Sequence, residues 1–111
     1  MRIINYNPDM VITRWTSPTI IVELEEGLNA DDIYRFSLSC YQKGKQMFDK
    51  TVPTKVDDSH VSVKLTVNDT QKLDAIERPK TQVRYRMKND DQYATDIFEF
   101  VVQDVLKDGA I

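Results

Sequence analysis

Four separate stretches of this chain alternate apolar and polar residues with a period of two, which is the pattern of an extended strand with one buried face. Successive side chains on a strand point to opposite sides, whereas one face of a helix recurs every third or fourth residue. In residues 18–25, Ile20, Val22 and Leu24 fall on one side, with Thr19, Glu23 and Glu25 opposite. In residues 33–41 the apolar set is Tyr34, Phe36, Leu38 and Cys40, against Arg35, Ser37 and Ser39. Residues 60–65 set Val61, Val63 and Leu65 against His60, Ser62 and Lys64. Residues 82–88 set Val83, Tyr85 and Met87 against Gln82, Arg84, Arg86 and Lys88.

The closing segment, residues 93–103, is richer in apolar residues. Ala94, Phe98, Phe100 and Val102 share one side and Ile97 and Val101 add to the other, which predicts a strand buried at least partly on both faces. Shorter strands are expected at residues 2–6 and 46–50. Turn-forming residues separate these runs at 26–29, 43–45, 56–59 and 88–91. One stretch departs from the pattern: Thr66 followed three residues later by Asp69 can cap the first free amides of a short helix. The expected fold is therefore all-β, an immunoglobulin-like antiparallel β-sandwich of about seven strands with one short helical turn near residues 67–74. At 111 residues a single domain spanning 1–111 is expected, because two halves would each be too small to bury a sufficient core.

The formal charge is −3, and the 15 Lys and Arg are scattered among 18 Asp and Glu without forming a stripe. A phosphate backbone calls for a concentrated cationic face, so nucleic acid is not an expected partner. The longest apolar runs, such as Thr19-Ile20-Ile21-Val22, fall far short of the roughly 20 residues that span a bilayer, so no membrane is expected either. The segment Met1-Arg2-Ile3-Ile4-Asn5-Tyr6 does not read as a signal peptide, and a lone cysteine forms no internal disulfide; both suit a reducing cytoplasm.

No constellation for catalysis is visible: the chain has one histidine, no Gly-rich phosphate loop, no His-Glu-x-x-His and no Cys-x-x-Cys. His60 lies on the polar side of its strand and reads as a surface histidine. Cys40 lies on the apolar side and reads as a quiet core thiol. The expectation is a protein that is not an enzyme and needs no cofactor and no metal.

Three acidic pairs, Asp31-Asp32, Asp57-Asp58 and Asp90-Asp91, fall in predicted turns that open at the same end if the strands run up and down in order. Converging carboxylates can hold Ca²⁺, although Asp is also a common turn residue that caps its own backbone. Arg14 and Trp15 precede the first long strand and either anchor a partner or fold back over the open end of the core; the high average burial of Trp favours the second. The C-terminal stretch containing Val105, Leu106 and Ile111 ends apolar and suits docking onto a neighbouring subunit. Arg14, Trp15, Val105, Leu106 and Ile111 are thus the candidate interface.

The second half of the chain carries, in order, Val63-Lys64-Leu65-Thr66, Asp69-Thr70-Gln71-Lys72-Leu73, Gln82-Val83-Arg84-Tyr85, Ala94-Thr95-Asp96-Ile97 and Leu106-Lys107-Asp108-Gly109-Ala110-Ile111. In these residues it resembles small proteins of bacteriophage and prophage structural-gene clusters in Gram-positive bacteria. They lie within residues 45–111; the hairpin Asn89-Asp90-Asp91-Gln92 departs from the Asp-Gly more usual there, and the N-terminal third matches only loosely. The resemblance implies a structural or assembly protein of the tail or baseplate type, bound to copies of itself or to other phage proteins, present in the host cytoplasm during assembly and then in the virion. The alternative from another class is a small ligand-binding sandwich that recognises carbohydrate or Ca²⁺ through its loops.

Overall fold

The computed structural model describes residues 2–5 and 11–109. In chain order the strands are β1 (Arg2–Asn5), β2 (Val11–Thr13), β3 (Thr19–Glu23), β4 (Ile33–Gln42), β5 (Lys45–Lys50), β6 (Thr54–Asp57), β7 (His60–Lys64), β8 (Lys80–Met87), β9 (Gln92–Ala94), β10 (Phe98–Glu99) and β11 (Val101–Gln103). A 3₁₀ turn occupies Ala30–Asp32, and the short helix α1 occupies Val67–Gln71.

The strands form two main antiparallel sheets. One has the order β1-β3-β7-β6; the other has the order β10-β8-β4-β5, with β9 also paired to β8. β11 then leaves β8 and runs parallel to β2, closing the seam between the sheets. Early strands pairing with the middle of the chain in one sheet, while β4, β5, β8 and the closing strands make the other, is the immunoglobulin-like arrangement. The fold is an immunoglobulin-like β-sandwich.

The alternations explain the core. Ile20, Val22, Val61 and Val63 point inward from one sheet and Phe36, Leu38, Cys40, Val83, Tyr85 and Met87 from the other, joined by Leu65, Leu73, Phe100 and Val102 in one buried cluster. The helical turn also forms as its sequence predicts: Thr66 caps α1, its hydroxyl accepting from the Asp69 amide while the Asp69 carboxylate accepts from the Thr66 amide. The turn at Lys43 and Gly44 joins β4 to β5 with both residues at positive φ, 55° and 72°, the primed hairpin turn whose twist matches its strands.

Three expectations are corrected. Tyr34 does not join Phe36 on the buried face: the register of β4 against β8 shifts between Ile33 and Arg35, which turns Tyr34 outward, 58% exposed, and brings Ile33 against the core. The closing segment is not one strand buried on both sides. Thr95 interrupts it, its hydroxyl accepting from the Val83 amide at 3.0 Å while its carbonyl accepts from the Gln82 side chain at 2.9 Å, so β9 and β10 are separate. Ala94 and Ile97 consequently face solvent, whereas Phe100 and Val102 are buried. The strand count also exceeds seven: β2 and β6 are short strands outside the predicted runs, and Val56 and Asp57, expected in a turn, belong to β6.

Candidate functional site

The outward face of the five-stranded sheet is built from the polar sides of two alternating strands. Antiparallel pairing of β4 and β8 sets Arg35 opposite Arg86, Ser37 opposite Arg84, Ser39 opposite Gln82 and Tyr41 opposite Lys80. β5 adds Asp49 beside Ser39, and β9 adds Gln92 beside Arg86. Two guanidinium groups meet over the ring of Tyr34, Arg86 at 4.9 Å and Arg35 at 5.6 Å from its centroid. The β4 bulge that ejects Tyr34 thus supplies the aromatic surface on which they rest.

Two hollows lie side by side on this face. The larger, about 560 Å³, is lined by residues that include Tyr34, Arg35, Thr51, Arg84, Arg86 and Gln92. The smaller, about 310 Å³, is lined by Ser39, Tyr41, Lys80, Gln82 and Ile97, and Arg84 contributes to both. Like charges directly across a strand pair are unfavourable, so the Arg35/Arg86 pairing calls for a compensating anion. Among the described residues no carboxylate forms an ion pair with Arg35, Arg84 or Arg86. The nearby carboxylate of Asp49 instead accepts from the hydroxyls of Ser37 at 2.6 Å and Ser39 at 3.2 Å. The Nε of Arg86 is buried and has no hydrogen-bond acceptor among the described residues.

The residues singled out in the sequence lie elsewhere. Arg14 is engaged within the chain: its guanidinium pairs with Asp104 at 2.9 Å and donates to the Gln71 carbonyl at 3.0 Å, while its amide donates to the Gln103 carbonyl at 2.8 Å. It fastens β2 to the closing strand and to α1. Trp15 is half-buried at φ 65°, and its indole N–H is buried with no acceptor among the described residues. Val105 is half-buried and Leu106 is fully exposed, while Ile111 lies outside the described residues.

The three acidic turns do open at one end. Asp31 and Asp58 share the Lys55 ammonium, at 2.9 and 3.2 Å, and the Lys88 amide donates to the Asp32 carbonyl at 2.8 Å, bringing in the turn that carries Asp90 and Asp91. A cation of the chain itself therefore sits where Asp31 and Asp58 converge. Asp57 instead turns to His60 at 2.8 Å and to the Ser59 amide at 2.9 Å. Among the described residues no three or more His, Cys, Asp or Glu are grouped to hold a metal ion.

His60 is more constrained than a free surface histidine. Nδ1 meets Asp57, and Nε2 meets Glu23 at 3.3 Å across the β3–β7 pairing. The hydrogen bond to Asp57, reinforced by Glu23, raises its pKa above the ordinary histidine value. Burial pushes the Cys40 thiol up to about 11, so the nucleophilic thiolate is suppressed, as its core position predicts. Among the described residues no helix is long and apolar enough to cross a membrane.

No protein-family model matches the chain, and neither does any curated protein. Among solved structures it is similar to the immunoglobulin-like domain of mouse leukocyte-associated immunoglobulin-like receptor 1, crystallised as a strand-swapped dimer. That likeness has a TM-score of 0.46 and 9% identity, over 92% of this chain and 95% of that one. The description of the fold rests on its own strand order.

Sequence reasoning passed over Arg35, Arg84 and Arg86 although it placed all three on polar strand sides. The available signal was arginine recurring on the outward side of two alternating runs. Their convergence depends on β4 pairing with β8, a long-range register that no local pattern encodes.

Proposed function

We propose that this domain is a non-catalytic assembly module, a structural component of a phage or prophage particle of the tail or baseplate type, which docks on partner subunits through the outward face of its five-stranded sheet. The observation that carries the docking reading is the composition of that face. Tyr34, Tyr41 and Ile97, 58%, 43% and 64% exposed, lie among three arginines that form no ion pair among the described residues. Aromatic residues and arginine are the types enriched where interfaces bury most of their binding energy. The likeness of residues 63–66, 69–73, 82–85, 94–97 and 106–111 to phage structural-cluster proteins supports the particle context. The exposed Leu106 and the edge strand β6, exposed along its whole length, offer further surface for assembly.

The absence of catalysis is supported by the suppressed thiol of Cys40 and by a histidine whose two ring nitrogens are both engaged by carboxylates. Binding of Ca²⁺ by the loops has less support, because Lys55 stands between Asp31 and Asp58. Carbohydrate stacking on Tyr34 has less support too, since two guanidiniums lie against that ring.

The test is light scattering of the domain alone and co-expressed with the products of its flanking genes. A complex heavier than the monomer is expected, and it should be lost in Tyr41→Asp and Ile97→Asp but kept in Lys64→Asp on the other sheet. Assembly indifferent to Tyr41 and Ile97 would refute the docking face.

A further inference from the structure

We infer that the hollow around Arg35, Arg84 and Arg86 receives the carboxylates of an extended acidic peptide segment on a partner; this inference rests on the docking face proposed above and specifies its ligand. The three guanidiniums come from neighbouring strands, with Arg35 directly opposite Arg86 and Arg84 two residues along β8. Such an arrangement carries unfavourable like-charge repulsion in the free domain, and an anion converts it into attraction. The side chains of Arg35 and Arg86 are steadied against Tyr34, so part of the entropy of ordering long side chains is already lost before binding. Thr51 and Gln92 line the same hollow with further hydrogen-bond donors, and among the described residues the Arg86 Nε has no acceptor.

The spacing favours carboxylates on an extended chain. Arg84 and Arg86 project from alternate positions of one strand, about 7 Å apart, and acidic residues at alternate positions of an extended partner segment have the same spacing. The patch is also local. The chain as a whole carries a charge of −3, and Asp49 lies on the same face, so a long polyanion would meet repulsion beyond these few residues.

The probe is a fluorescently labelled peptide of alternating Glu and Thr, followed by anisotropy with the whole chain, and compared with the same peptide carrying Gln in place of Glu. The Glu peptide is expected to bind and the Gln peptide not. Arg84→Gln combined with Arg86→Gln should weaken binding about a hundredfold, and Arg84→Lys, which keeps the charge and loses the fork, about tenfold. Lys64→Gln on the other sheet should leave binding unchanged, and urea midpoints show whether each variant remains folded. Equal binding of the Gln peptide, or indifference to both Arg84 variants, would overturn the inference. So would displacement by inorganic phosphate beyond that produced by sodium chloride at equal ionic strength, which would assign the hollow to phosphate groups. Failure of the peptide to bind while assembly still depends on Tyr41 and Ile97 would remove the carboxylate site and leave the docking face standing. Loss of both dependences would remove both.

Discussion

Replacing Asp69 by Asn tests whether one carboxylate holds the crossover between the sheets. Asp69 is buried at the start of α1, its side chain 9% exposed, and pairs with the Lys50 ammonium, 25% exposed, at 2.5 Å. The same carboxylate accepts from the Thr66 amide at 2.7 Å. Burial works against the charge, but Lys50 and the Thr66 donors outweigh it and hold the carboxyl below its ordinary pKa. Asn keeps the shape and one acceptor for the Thr66 amide, so most of the cap, worth about 1 kcal/mol, survives. What is lost is the charge-assisted contact to Lys50, about 1 to 2 kcal/mol, moderated because Lys50 retains some access to water. Asp69→Ala also leaves the Thr66 amide without its acceptor, although the Thr66 hydroxyl still caps the residue 69 amide, and should cost about 3 kcal/mol.

The assay is urea denaturation followed by circular dichroism, with a double-mutant cycle against Lys50→Met; a coupling of about 1 kcal/mol is expected. The pH dependence supplies a second check. A carboxyl with a lowered folded pKa contributes stability that is present above the unfolded value of about 3.9 and lost as pH falls through the folded value. The gap between wild type and Asp69→Asn should therefore be constant near neutrality and close in acid. A gap below about 0.3 kcal/mol at pH 7, or one that widens in acid, would refute the reasoning.

Three other outcomes are expected. The raised pKa of His60 means that its contribution is complete below the unfolded value of about 6.5 and is lost as pH rises through the folded value. His60→Gln should flatten the melting temperature over that interval, whereas Asp57, whose pKa His60 lowers, governs the acid side. Cys40, buried with its thiol pushed up to about 11, should resist Ellman's reagent at pH 8 in the native protein and react fully in urea. Gly44→Ala meets no atom within 4 Å of the new Cβ but imposes φ 72° on a residue with a side chain, so about 1 kcal/mol of stability should be lost through backbone strain alone.

The parts of this fold that were legible in the sequence are those governed by local chemistry. The alternations at Ile20, Val22 and Leu24, at Phe36, Leu38 and Cys40, at Val61, Val63 and Leu65, and at Val83, Tyr85 and Met87 all point to the core as their period requires. The capping pair Thr66 and Asp69 forms as read. The departures have non-local causes. Tyr34 turns outward because a register shift against β8 inserts a bulge, and residues 95–97 break a strand because the Thr95 hydroxyl takes the place of a ladder carbonyl for Val83. The choice left open for the Arg14–Trp15 segment, a partner anchor or a fold back over the core, has no local signal, because Asp104 and the end of α1, which Arg14 contacts, are distant in sequence.

The same contrast supports the proposed docking surface. Charged groups at the loop-bearing end are largely satisfied within the chain: Lys55 between Asp31 and Asp58, and His60 between Asp57 and Glu23. At the seam, Arg14 is matched by Asp104. Each such contact lowers what the group could gain from a partner, because binding would exchange one hydrogen-bonded pair for another. Arg35, Arg84 and Arg86 have no such contact among the described residues, and two of them repel across a strand pair. An incoming anion there would gain attraction and relieve repulsion, which favours the sheet face over the loops as the proposed docking surface.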